Sequence, residues 1–182
     1  MTLMKQTDFY DLLGTWENIY LLIDYLIEYP DKIGDLMHIG LNDSKKASWR
    51  AIWIIDKVHE KRPELVRPYI PQFIEALSFI SNESKLRHLL KLISLNPIPE
   101  DQLSKLWDYG LNILTDASQP IAIRVHAMQL LFEISESIPE FKPELIQLIE
   151  HEIEFHGSAG IKSRGRKLLQ KLFQAIQNTS GH

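Results

Sequence analysis

The sequence predicts an all-α fold, a right-handed α-α superhelix built from antiparallel helix pairs. Three observations carry this. Apolar residues recur at spacings of three and four through most of the chain, which is the period of one helix face. Alternating apolar and polar runs flanked by hairpin turn pairs do not occur, and 8 glycines in 182 residues are too few turn formers for a strand-rich fold. Segments of like pattern also return at nearly constant spacing, the mark of stacked repeats that cannot bury their apolar faces singly.

In chain order, residues 1–29 are expected to form an amino-terminal cap of two helices, 3–13 and 15–29. Gly14 separates them, and Thr15 is a plausible capping residue ahead of Trp16, Ile19, Tyr20, Leu22, Ile23 and Leu26. Residues 30–177 supply four helical pairs, and 178–182 a disordered tail, all within one domain. Pro30 begins a helix reaching about Leu41, and Asn42, Asp43 and Ser44 form a polar corner. Trp49, Ile52, Trp53, Ile55 and Val58 give the next helix its apolar face. Pro63 cannot extend that helix but suits the first position of another, running to Leu77. A helix over 84–95 stops before Asn96-Pro97, because the residue before proline is biased away from helical geometry. Helices over 100–115, 120–138, 140–156 and 161–177 complete the series. The expected core includes Ile23, Leu36, Trp53, Ile54, Phe73, Leu77, Leu89, Leu92, Leu106, Leu114, Leu130, Leu131, Leu148 and Leu169.

The repeat emerges when KASWRAIWIIDKV, SKLRHLLKLI, IAIRVHAMQLLFEI and IKSRGRKLLQKLF are superposed. Each carries an early arginine before an apolar run: Arg50, Arg87, Arg124 and Arg164, separated by 37, 37 and 40 residues. That spacing lies close to the period of helical-pair solenoids. With prolines near the start of several partner helices and a small residue after the arginine in two copies, the pattern resembles HEAT repeats over residues 30–173. The resemblance implies an aspartate in each corner paired with the following arginine. Asp43 could serve Arg50 and Asp116 could serve Arg124, whereas Arg87 is preceded by Asn82 or Glu83 and Arg164 by Ser158 alone.

Composition narrows the function. The chain has no cysteine, so disulfides, thiolate metal sites and cysteine nucleophiles are excluded. Its beginning, MTLMKQTDFYDLL, does not resemble a secretory signal, and its longest apolar stretches are too short to span a bilayer. A cytoplasmic protein with no membrane partner is expected. Net charge is −4, yet residues 44–92 hold 10 basic and 5 acidic side chains while 93–156 hold 3 and 11. Charge therefore alternates by segment, and the stacking decides whether it also segregates by face.

Candidate anion- or partner-binding residues are Arg50, Arg87 and Arg124, with Lys162, Arg164, Arg166 and Lys167 of the basic carboxy-terminal segment. Four guanidinium groups at one repeat position could line a surface for phosphates or an acidic segment. Residues that recur with a repeat usually serve the repeat, so forking onto a corner carboxylate or carbonyl is favoured. Several look-alikes are set aside. HEIEFH at 151–156 resembles a zinc-protease helix, but histidines five apart point roughly 140° from each other at about 100° per residue, so one metal cannot take both. GSAGIKS at 157–163 lacks the glycine-lysine-serine run of a phosphate loop. His88 and His126 are expected in packing, Glu133 and Glu136 on a solvated face, and Trp16, Trp49, Trp53 and Trp107 between repeats as core. No catalytic residue, cofactor or metal is expected. The function implied is a non-enzymatic protein-interaction or scaffold module whose expected partner is another protein. The alternative, through likeness to HEAT-like proteins that excise alkylated bases, is nucleic-acid binding or DNA repair in a basic groove. Nothing in the sequence fixes the oligomeric state.

Overall fold

A computed structural model of the chain describes residues 6–45 and 47–180. The described residues form helices, 3₁₀ turns and connections, with no strand among them. The chain divides into two compact units, residues 1–96 and 97–182.

The first unit holds α1 (Gln6–Leu12), α2 (Trp16–Glu28), α3 (Ile33–Asn42), α4 (Trp49–Lys61), α5 (Pro63–Val66), α6 (Ile70–Ala76) and α7 (Glu83–Ser94). Helix α3 packs on α4 and α6 on α7, while α4 lies between α2 and α7. The second unit holds α8 (Leu103–Thr115), α9 (Ile121–Ser137), α10 (Lys142–Phe155) and α11 (Ala159–Ser180). There α8 packs on α9, α10 on α11, and α9 touches both members of the second pair. All four pairs expected from the arginine register are therefore in contact.

Helix α4 shows how sequence makes this layer. Ala51, Ile52, Ile54, Ile55 and Val58 are buried on one broad face, each large side chain contributing about 1.5–3 kcal/mol of burial. They meet α3 closely, because a Cβ added at Gly40 would lie 2.4 Å from Cδ1 of the fully buried Ile52. Close approach here requires glycine. Gly40→Val is expected to lower stability by about 1–3 kcal/mol through overpacking, measured as the shift in urea unfolding free energy.

Most expected core positions are buried, but Trp53, Leu148 and Leu169 are half-exposed. In α11 the inward stripe is Ile161, Gly165, Leu168 and Leu172, which leaves Leu169 on its flank; in α10 it is Leu145, Ile146, Ile149 and Glu152.

The continuous helix expected over 63–77 is broken. Pro63 does open α5 at its first position, but a 3₁₀ turn over Arg67–Tyr69 follows before α6. Pro68 has no N–H to donate to the preceding turn and its ring crowds that turn. Pro30 and Pro139 likewise open 3₁₀ turns, Pro30–Lys32 and Pro139–Phe141, which lead into α3 and α10. Helix α11 continues to Ser180, past the end expected at Gln177, while the rest of the expected tail, 181 and 182, lies outside the described residues. No helix among the described residues is long and apolar enough to cross a membrane.

Candidate functional site

The repeat arginines donate into the fold. Arg50 Nη1 donates to the carbonyls of Leu13 (2.7 Å) and Gly14 (3.0 Å), at the end of α1. Arg124 is buried; its Nε donates to the Leu114 carbonyl (2.9 Å) at the end of α8, and its Nη2 pairs with the buried Glu152 of α10. Arg164 Nη1 donates to Gln129 Oε1 on α9 (2.5 Å). Arg87 Nη2 lies 3.2 Å from His88 Nε2. The corner aspartates do not take the partners that the family pattern implies. Asp43 accepts from the Lys45 backbone N–H at 2.7 Å, and Asp116 accepts from the N–H and hydroxyl of Ser118. A short polar side chain in a corner satisfies its own backbone first, which leaves the guanidinium groups to the orphan carbonyls at helix ends.

His88 completes a buried polar cluster between α4 and α7. Because a guanidinium only donates, Nε2 accepts from Arg87, and Nδ1–H donates to Asp56 Oδ2 at 2.8 Å. Lys91 Nζ lies 2.8 and 3.0 Å from the two Asp56 oxygens and 2.8 Å from Glu60 Oε1. Burial pushes the Asp56 carboxyl up, but the hydrogen bonds from His88 and Lys91 with the Lys91 charge outweigh it and hold the group below its ordinary value. A histidine–carboxylate pair orients an imidazole for catalysis only beside a nucleophile or an open cleft. Here the pair is buried and its hydrogen bonds are spent on joining two helices.

On the other flank of α4 the tryptophans gather. Trp49, Trp53 and Lys57 succeed one another at four-residue spacing, facing Trp16 and Tyr20 of α2, which share that spacing. Trp16 meets Trp53 edge-on with centroids 5.6 Å apart and Trp49 at 6.1 Å, and Tyr20 meets Trp53 at 6.4 Å. The Arg50 guanidinium sits 5.0 Å from the Trp16 ring centre, and Lys57 Nζ 5.7 Å from that of Trp53. Trp16 is 47% and Tyr20 64% exposed. Of the four tryptophans expected in the core, only Trp107 is there, stacked on Phe141 at 4.3 Å. Sequence reading missed the cluster because it counted every apolar residue of α4 as one face. The aliphatic residues already fill that face, and Trp53 lies about 160° around the helix from Ile55.

In the carboxy-terminal segment, Lys162, Arg166 and Lys167 are exposed and Arg164 half-buried. The histidines of HEIEFH are closer than a continuous helix would hold them. His156 follows the last helical residue as its C-cap, with φ −129° and ψ 21°, and its ring centre lies 5.8 Å from that of His151. Lys85 reaches a cleft of about 770 Å³ at the 43–48 corner, where its Nζ donates to the Asp43 carbonyl at 2.7 Å. Burial pushes the Lys85 ammonium down, against the pull of the Asp43 charge.

A family model described as a HEAT repeat domain matches residues 15–172. The match takes in α2, which the arginine register had left to a cap. No curated protein and no solved structure matches the chain.

Proposed function

The chain belongs to the HEAT repeat domain family, and from that premise we propose that it is a non-enzymatic protein-interaction module of the cytoplasm whose contact surface is the aromatic face of α2 and α4. The observation that carries this reading is the exposure of Trp16 and Tyr20 against the half-buried Trp49 and Trp53. Large rigid aromatic groups in a fixed edge-to-face arrangement lose little conformational entropy on contact, which is why such groups dominate binding energy at interfaces. Arg50 and Lys57 border the rings. Arg50 has no carboxylate partner among the described residues, so the face favours an apolar segment flanked by an acidic residue.

Selection of a displayed peptide library against the full chain tests this. Peptides joining aliphatic or aromatic residues to an acid should be enriched, and Trp16→Ser or Tyr20→Ser should weaken them about tenfold or more, as expected of interface anchors. Recovery of no saturable binder, or of binders indifferent to both substitutions, refutes the proposal. The nucleic-acid alternative has the exposed Lys162, Arg166 and Lys167 in its favour. It has less support, because Arg50, Arg87 and Arg124 donate to groups of the protein itself.

A further inference from the structure

We propose that His151, Glu152 and His156, at the carboxy-terminal end of α10, form a binding site for one divalent transition-metal ion, with Zn²⁺ as its natural probe. One ligand atom from each residue lies within 4.8 Å of the other two. His156 Nδ1 is 3.1 Å from Glu152 Oε2, and His151 Nδ1 is 3.7 Å from Glu152 Oε1. Neighbouring ligands of tetrahedral zinc stand about 3.3–3.6 Å apart when the bonds are about 2.0–2.2 Å, so small rotations of the two partly exposed rings bring all three groups into range. The geometry arises at the helix end. Within α10 the two histidines would diverge, but the chain leaves the helix at His156 and turns at Gly157, where a Cβ would lie 2.1 Å from the Ile153 carbonyl oxygen. That turn brings the His156 ring back over Glu152, four residues earlier.

The three groups differ in mobility in the way a metal site requires. Glu152 is buried and held by Arg124, so its carboxylate is fixed in orientation, the task of an outer-shell partner in a metal centre. His151 and His156 are partly exposed, leaving an entry path and an open coordination position for water. Two imidazoles with one carboxylate suit zinc, cobalt or nickel and not magnesium or calcium, which take oxygen ligands. The carbonyls that end α10 bring the negative pole of its dipole to the site, and Glu150 and Glu154 flank it in sequence, while Lys162, whose Cε packs against Gly157 at the turn, works against a bound cation. Arg124 draws on the charge of Glu152, so the affinity falls below that of a structural zinc site.

Calorimetric titration of the full chain, freed of metal by a chelator, with Zn²⁺ alone tests the site. Cobalt absorption spectra serve as a second readout. Wild type should bind one ion, and His151→Ala and His156→Ala should each weaken binding about tenfold or more, at least the loss seen when a metal's outer-shell partner is removed. With Co²⁺ the visible bands should intensify in wild type and stay those of the aqueous ion in the double variant. Both rings are partly exposed, so the metal-free variants should keep the wild-type helical circular dichroism and unfolding midpoint, which separates lost binding from lost folding. The proposal is overturned if wild type shows no saturable binding, or if the double variant binds as wild type does, which would assign the ion to another histidine such as His38.

Discussion

Replacing Arg124 by alanine is expected to lower the unfolding free energy of the chain by about 3–5 kcal/mol, the cost of leaving one member of a buried ion pair without its partner. Both side chains of the Arg124–Glu152 pair are almost wholly enclosed, which places the loss in the range of a buried pair and not of an exposed one. The Leu114 carbonyl also loses its donor, a further contribution of about 1 kcal/mol. Urea unfolding at neutral pH, followed by circular dichroism, measures the total. The double replacement Arg124→Met with Glu152→Leu separates the terms. It removes both charges and fills the space with apolar groups, and exchanges of this kind are often neutral, so it should recover most of the loss. If the single variant unfolds within about 1 kcal/mol of wild type, in the range of an exposed pair, Arg124 does not hold α8, α9 and α10 as described.

Asp56→Ala should be the second most damaging change, at about 3 kcal/mol or more, since it strands the buried His88 and deprives Lys91 of one of its two carboxylates. Asp56→Asn keeps the shape and an acceptor for His88, and should cost roughly half as much. The two proteins should also differ in acid. The folded carboxyl ionises more readily than the unfolded one, so it contributes stability that is present above the unfolded value of about 3.9 and disappears as pH falls through the folded value. The gap between wild type and Asp56→Asn should therefore hold constant from pH 7 to about 5 and narrow below about 4. Unfolding free energies across that range check it, and a gap that widens in acid would contradict the assignment.

Much of the fold can be read from the sequence, because the repeat sets both period and pairing. The arginine spacing assigns partners to four helix pairs, and each pair is in contact. What the spacing could not reveal is where the guanidinium groups go. Arg50 and Arg124 reach helix-end carbonyls 37 and 10 residues earlier, and a carbonyl leaves no mark in a sequence. The helix over 63–77 is overextended because only Pro63, its start, enters that reading, while Pro68 acts as a break within it. The aromatic face was hidden by counting apolar residues without asking how many one helix face can bury. His151 and His156 were separated by assuming the helix continued through both, although helix ends are the least predictable bounds in a sequence.

The contact of Arg50 with α1 reaches beyond that helix. A helix of seven residues does not persist alone in water, and α1 is kept by the burial of Phe9 and Leu13 and by one guanidinium from α4 clasping its last carbonyls. The same guanidinium lies over Trp16 and Trp49. Loss of the Arg50 contact would therefore loosen α1 and move the cation that sits over the two indole rings in one step. One side chain of α4 thus couples the first helix of the unit to its aromatic face.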